Sequence, residues 1–288
     1  MGTVGVIAIG EMGACLASAL SQGGSRVVTS LAGRGEATRR RAAAAGAEDL
    51  PLAEVLATAD VLVSVLPPAR ALALAREVAG GLGTVDRRRP GVRATRRTSL
   101  IYLDANAVAP ATAVAVGELV EKAGARFVDG GIIGVPPDPL LYVSGAAAAD
   151  AIDLLSGLRL TDLGPEPGRA SALKMCYAAF TKGTTALATE LLVAAARLGV
   201  AAELEAELRS SAPALWAIAE RSVPGMRGKA YRWVGEMEEI AATFAAVGLT
   251  PKVLEGAAEI YRLVEDRGGE RLPTELGRLV QEVARPSP

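Results

Sequence analysis

The segment Val4-Gly5-Val6-Ile7-Ala8-Ile9-Gly10-Glu11-Met12-Gly13 constrains the fold more than any other. An apolar run passes directly into a turn of small residues, and the turn into a helical pattern over Glu11–Gln22 that ends at Gly23-Gly24. The turn approximates G-x-G-x-x-G, with Ala8 at the first glycine position. Each small residue has its own use. The first permits the tight turn, the second lets backbone approach a pyrophosphate, and the third packs helix on strand. Ala8 serves provided its φ is negative. A pyrophosphate would then rest on the amides at the helix N-terminus. Ala8, Ile9, Gly10, Glu11, Met12 and Gly13 are therefore candidate cofactor-binding residues. The plainer alternative is a structural glycine turn.

Further along, short apolar runs alternate with helical patterns. Arg26–Ser30, Val61–Leu66, Leu100–Asp104, Arg126–Asp129 and Leu141–Ser144 read as strands, and Glu36–Ala45 as a helix. Strands separated by helices imply a doubly wound, mainly parallel sheet covered on both faces. After Leu163 strand signals stop. Helical patterns follow over Ala170–Leu198, Glu203–Arg209, Pro213–Glu220, Tyr231–Ala246, Pro251–Glu265 and Leu272–Ala284. The breaker-rich stretch Leu163-Gly164-Pro165-Glu166-Pro167-Gly168 sets the expected boundary. The chain divides on this reading into an α/β nucleotide-binding domain, 1–164, and an all-α domain, 165–288, for substrate and dimerisation.

Composition narrows the chemistry. The 288 residues are half hydrophobic, enough for two cores, and the net charge of −1 gives no general case for nucleic-acid binding. There is no histidine, which excludes Ser-His-Asp triads and HExxH zinc sites. Cys15 and Cys176 lack CxxC spacing and argue against a metal site or a disulfide framework. Proton transfer must fall to Lys, Asp, Glu, Tyr or Cys. The apolar segments are short or interrupted by charge, so a cytoplasmic protein without a membrane span is expected. Between Asp86 and Arg97 six arginines cluster; this reads as a solvated loop, with an anion-binding patch as the sharper alternative.

The end of the second strand bears on cofactor choice. An acid there would bind the ribose 2′-hydroxyl of NAD, whereas here the chain runs Val28-Thr29-Ser30-Leu31-Ala32-Gly33-Arg34. Thr29 and Ser30 can donate to a phosphate, and Arg34 can reach one with Arg39 behind it, which favours NADP over NAD. Glu36 reads as first-turn helix chemistry. Asn106, after the strand ending at Asp104, is placed to bind a carboxamide or a substrate, or else to close an Asx turn.

Taken in order, Gly10-Glu11-Met12-Gly13, Ser64-Val65-Leu66-Pro67-Pro68 and Asp104-Ala105-Asn106 with Pro110 resemble the β-hydroxyacid dehydrogenase / 6-phosphogluconate dehydrogenase superfamily. Leu173-Lys174-Met175-Cys176-Tyr177-Ala178 and Gly235-Glu236-Met237-Glu238-Glu239 look most like its branch with a DUF1932 C-terminal domain. The resemblance covers nearly the whole chain. It implies a Rossmann domain followed by an all-α 6-phosphogluconate dehydrogenase C-terminal-like domain, and an NADP-linked oxidoreductase acting on a small hydroxy acid or carbonyl. It places Val65, Leu66, Pro67 and Asn106 along the cofactor, and Lys174 as the general acid/base that exchanges a proton with the substrate hydroxyl. Such a lysine needs its pKa lowered by about 2–3 units. The alternative is a helix lysine with its head in solvent.

Departures from the family pattern bear on the substrate. Where the family has Asp-Ala-Pro-Val-Ser-Gly-Gly, this chain has Asp129-Gly130-Gly131-Ile132-Ile133-Gly134. Gly131, Ile132, Ile133 and Gly134 would form a substrate loop without the serine. The family's asparagine is Ala178, and a second lysine aligns with Gly235, beside Glu236. Lost polar groups favour an apolar or bulkier substrate, so imine or ketone reduction is the alternative activity, and a non-catalytic NADP(H) sensor another. Tyr177, three residues after Lys174, is a candidate catalytic donor or an interdomain packing residue. Thr181 and Glu236 are candidate substrate contacts, and Trp216, Trp233 and Met237 read as core. Ala170–Leu198 is apolar around much of its girth, which predicts a homodimer through the all-α domain.

Overall fold

The computed structural model describes residues 2–83 and 99–285, so the arginine cluster of 86–97 lies outside them. The chain forms two compact units, Met1–Met175 and Cys176–Pro288. The division falls inside a long helix rather than in the breaker-rich link. That link is stitched to the sheet of the first unit, Leu163 N–H donating to Val143 O and Gly145 N–H to Gly164 O.

The first unit is an eight-stranded sheet. Its strands are β1 (Thr3–Ile7), β2 (Arg26–Thr29), β3 (Ala47–Asp49), β4 (Val61–Ser64), β5 (Ile101–Asp104), β6 (Arg126–Ile133), β7 (Leu140–Ser144) and β8 (Arg159–Asp162). The order is β3-β2-β1-β4-β5-β6-β7-β8, and every pairing is parallel except β6 with β7. The chain reverses its winding between β1 and β4, the switch point at which such sheets open a ligand crevice at the strand C-termini. Successive side chains of a strand point to opposite faces, and both faces are buried. Val6, Val63, Leu103, Val128 and Val143 pack on one side with Leu16 and Leu20 of α1 (Glu11–Gln22). Leu62, Tyr102 and Phe127 pack on the other with Leu56, Leu74, Val78, Val116 and Val120. Those residues come from α3 (Leu52–Thr58), α4 (Ala71–Leu82) and α5 (Pro110–Lys122). The doubly wound α/β reading of the sequence thus holds.

Several boundaries differ from expectation. β1 stops at Ile7, leaving Ile9 buried in the turn that follows. β6 runs four residues past Asp129, because Gly130–Ile133 pair with β7, from Gly130↔Val143 to Ile133↔Leu140. Gly131 and Ile132, expected in a loop, are therefore strand residues. β3 and β8 give no strand signal in the sequence because they are short and carry Glu48, Asp49, Arg159 and Asp162 at positions where a buried strand shows apolar residues.

The second unit is helical, with no strand among its described residues. It continues α7 (Arg169–Leu198) into α8 (Ala201–Ser211), α9 (Pro213–Gly225), α10 (Ala230–Ala246), α11 (Lys252–Asp266) and α12 (Leu276–Ala284). Met237 and Ile240 of α10 and Leu254, Tyr261 and Val264 of α11 are buried, and the Trp233 and Tyr261 rings meet edge to face at 5.2 Å. Trp216 and Met237 are core, as their sequence context suggests. No helix among the described residues is long and apolar enough to cross a membrane.

Candidate functional site

The turn after β1 has the shape its small residues imply. No described residue other than glycine has positive φ, so Ala8 takes the first glycine position with a negative φ. A Cβ on Gly13 would lie 1.9 Å from Ala8 O, so the close crossing of α1 over the turn requires glycine. At Gly10 a Cβ would meet no protein atom within 4 Å, and the backbone there is extended at φ −78°. Nothing in the fold of the described residues demands glycine at that position. Gly10 precedes the first turn of α1, where the amides have no intrahelical acceptor and negative charge is favoured. Val65 N–H donates to Ile7 O, and Ala8 N–H to Val65 O at 3.5 Å, tying the turn to the Val65–Pro67 segment after β4.

At the β2 end, Thr29 departs from its expected role. It is buried and its hydroxyl donates to Val6 O at 2.7 Å, so it joins β2 to β1 and has no donor left for a phosphate. Arg39 is also occupied, donating to Asp49 Oδ2 and to Leu31 O. Ser30 is half-buried and Arg34 is exposed, following Gly33 at φ +69°. Glu36 is the first residue of α2 (Glu36–Ala44) and pairs with Arg40 on the same helix, as first-turn chemistry.

Across the C-terminal ends of the strands runs a row of register partners: Ile7↔Ser64, Ser64↔Asp104, Asp104↔Asp129 and Asp129↔Ser144. Ser64, Asp104, Asp129 and Ser144 are all buried. Asn106 is built into this row. Its Nδ2 donates to Ser64 Oγ at 2.9 Å, its Oδ1 accepts from Leu66 N–H at 2.5 Å, and its own N–H donates to Asp104 Oδ1 at 2.9 Å. Buried and committed on three sides, Asn106 holds the Val65–Pro67 segment in place, so its side chain serves the chain itself before any ligand. Asp104 Oδ2 has no hydrogen-bond partner among the described residues. Burial, reinforced by the Asp129 carboxylate, pushes the Asp104 carboxyl up to about 7, against the hydrogen bond from Asn106.

Asp129 fastens α7 to the sheet. Its Oδ2 accepts from Ser144 Oγ and from Ser171 N–H, both at 3.0 Å, and its Oδ1 accepts from Ser171 Oγ at 2.5 Å. Ser144 Oγ in turn accepts from Ala170 N–H at 3.1 Å. A carboxylate and a hydroxyl from two strands thus satisfy first-turn amides of α7, where negative charge is favoured. The helix lies close to β6: a Cβ on Gly131 would come within 2.5 Å of Ala170 O and 3.1 Å of Lys174 Cβ. One turn on, Lys174 is half-buried and its ammonium donates to Ile132 O at 2.5 Å. Lys174, Gly131 and Ile132 therefore come together as expected, with Ile133 half-buried and Gly134 exposed beyond them. No signal in the sequence singled out Ser144 or Ser171.

The remaining candidates lie in the helical unit. Tyr177 and Thr181 are exposed on α7, where the Thr181 hydroxyl donates to Tyr177 O. Glu236 is occupied: Lys182 forms an ion pair with it, largely buried, and stands over the Trp233 ring. Tyr261 donates to Lys182 O at 2.6 Å. Burial lowers the Lys182 pKa, opposed by Glu236. Glu236 is thus a partner of Lys182 first, a pairing that linear sequence does not reveal.

Residues 3–84 match the family model described as NADP oxidoreductase, coenzyme F420-dependent, and residues 195–264 match the domain of unknown function DUF1932. A conserved protein of unknown function, reported as structurally similar to 3-hydroxyacid dehydrogenases, is 31% identical, with a TM-score of 0.66 over 92% of this chain and 97% of its own. A conserved hypothetical protein from Sinorhizobium meliloti is 25% identical, with a TM-score of 0.70 over 99% and 96%. The 3-hydroxyisobutyrate dehydrogenase of Mycobacterium tuberculosis, solved with L-serine, shares the fold at 18% identity, with a TM-score of 0.72 over 99% and 100%.

The clamp on α7 yields a prediction. Asp129→Ala strands one amide and two hydroxyls in a buried setting and should lower stability by ~2–4 kcal/mol, read by urea denaturation. A loss below ~0.5 kcal/mol would show that the cap is not what holds the helix.

Proposed function

The chain belongs to the β-hydroxyacid dehydrogenase / 6-phosphogluconate dehydrogenase-like superfamily, in the branch with a DUF1932 C-terminal domain, and on that premise we propose an NADP-dependent oxidoreductase. The substrate class is a small hydroxy acid or carbonyl compound, and Lys174 is the general acid/base. One observation carries this reading. The open turn at Gly10 and the Lys174 ammonium on Ile132 O belong to the same sheet unit, in which Asn106 and Asp129 brace the C-terminal strand ends.

When bound, a nicotinamide dinucleotide supplies or accepts the hydride. The chain's own residues do the rest. Amides of the Ile9–Gly13 turn and of α1 take the pyrophosphate, and Val65–Pro67, braced by Asn106, forms the adjoining wall. With Thr29 and Arg39 occupied, Ser30 and Arg34 remain to receive a 2′-phosphate. Lys174 holds the proton: Ile132 O orients the ammonium, which gives a proton to the substrate oxygen in the reductive direction, and the neutral amine takes the proton back in the oxidative direction. Ile133, Ala178 and Gly235 stand where the family pattern has polar residues, which favours an apolar substituent on the substrate and keeps ketone or imine reduction as the second reading.

We extend the proposal to assembly. Along α7 in the helical unit Tyr177 is 47% exposed, Phe180 74%, Leu187 62% and Leu198 77%, a spacing that gathers apolar side chains along one side of the helix. A second copy of the chain covers that stripe.

Three outcomes follow. Lys174→Ala should retain NADPH binding and lose turnover by roughly 10²–10⁴-fold across a panel of hydroxy acids, ketones and cyclic imines; unchanged kcat on an accepted substrate would remove Lys174 from the chemistry. Nucleotide fluorescence should show tighter NADPH than NADH binding, with Arg34→Ala costing about 1–3 kcal/mol on NADPH alone; equal affinities would contradict the phosphate site. Sedimentation equilibrium should give twice the 29.4 kDa chain mass, and Phe180→Glu with Leu187→Glu should give the single mass; a wild-type monomer would refute the dimer.

A further inference from the structure

Asp104 is the carboxylate of the polar row that the function above does not use, and its setting is unusual. It ends β5, fully buried, between Ser64 of β4 and Asp129 of β6. One carboxylate oxygen receives the Asn106 N–H, and the other has no hydrogen-bond partner among the described residues. A buried ionised carboxylate with one oxygen unsatisfied is costly. The ionisable groups acting on it do not relieve that cost. β6 presents the Asp129 carboxylate, which is like-charged, and β5 presents the Tyr102 phenol, itself buried and pushed above its ordinary pKa. β4 offers the uncharged Ser64 hydroxyl, which accepts from Asn106. On α7 the Ser171 donors go to Asp129, and the Lys174 ammonium goes to Ile132 O.

Asp104 is also joined to the nucleotide wall by a short route. Asn106 links its Oδ1 to Ser64 Oγ and to Leu66 N–H, two residues along from the strand end. We propose that Asp104 is a positioning residue for the Val65–Pro67 segment, and that binding of a nicotinamide dinucleotide is accompanied by uptake of a proton at its carboxyl. The inference rests on the dinucleotide reading above. A dinucleotide brings two or more negative charges to the C-terminal end of the sheet, where Asp104 and Asp129 already stand side by side. Ionised Asp104 opposes that ligand; protonated Asp104 does not, and its Oδ1 can still accept from Asn106. With the free-state carboxyl at about 7, the ligand raises the pKa further, and protons are taken up on binding near neutral pH. The sign follows: affinity rises as pH falls through that window and declines above it.

Calorimetric titration with NADPH tests this, in buffers of different ionisation enthalpy and on both the wild type and Asp104→Asn. NADPH carries a 2′-phosphate that titrates near pH 6, a contribution common to both proteins that cancels in the comparison. The wild type should take up more protons than the variant. Its affinity should weaken about three- to tenfold more than that of the variant between about pH 6.5 and 8.5. Equal proton counts and parallel pH profiles would overturn the proposal. NADH lacks the 2′-phosphate, so proton uptake by the wild type with NADH decides the matter even where Asp104→Asn fails to fold, and zero uptake refutes it. Absence of binding by either nucleotide at every pH would instead remove the dinucleotide reading, and this inference with it.

Discussion

Much of this chain's chemistry depends on one carboxylate. Asp129 accepts three hydrogen bonds, from Ser144 Oγ, Ser171 N–H and Ser171 Oγ, and so fixes the start of a thirty-residue helix against β6 and β7. Everything on the first turns of α7 inherits its position from that contact. The amide ends of a helix are the natural receptor for negative charge, and a buried carboxylate survives only when its oxygens are satisfied. The two needs meet here. Two glycines let the backbones close in: a Cβ on Gly130 would come within 2.9 Å of Asp104 O, and one on Gly131 within 2.5 Å of Ala170 O. The Asp-Gly-Gly sequence is thus first a docking surface, and Lys174 stands on Ile132 O because of it.

The same logic extends along the sheet. Ser64, Asp104, Asp129 and Ser144 make a buried polar row at the strand C-termini, the edge where parallel sheets bind their ligands. Asn106 connects that row to Leu66, and Val65 connects to the turn at Ile7 and Ala8. The segments assigned to cofactor and substrate are thereby held by hydrogen bonds within one unit. A hydrogen-bonded network of this kind defines one geometry, and the Asp104 oxygen without a partner among the described residues is the place where the network can respond to charge.

What could be read in the sequence, and what could not, divides along physical lines. The turn at Ala8–Gly13 was legible because its requirements are local: small residues between a strand and a helix. The limits of α1 were legible because Gly23-Gly24 ends it. Lys174 with Gly131 and Ile132 followed from the family pattern and does come together. The extension of β6 to Ile133 was not legible, since Gly130-Gly131 reads as a loop unless the antiparallel partner β7 is known. Thr29 and Asn106 read as ligand contacts in the sequence because their side chains can donate, but donors in a sheet interior are claimed first by the chain itself, here by Val6 O and Ser64 Oγ. The Lys182–Glu236 pair joins α7 to α10, a distance in sequence over which spacing carries no information.

The central claim is that the Gly10 turn and the braced ends of β4 and β5 form one dinucleotide cradle. A crystal structure of the protein with NADPH tests it most directly. The account predicts pyrophosphate density on the backbone amides between Ile9 and Gly13, the 2′-phosphate beside Ser30 and Arg34, and Asn106 still bonded to Leu66. Nucleotide density elsewhere on the chain, or a pyrophosphate lying away from the α1 N-terminus, would contradict it.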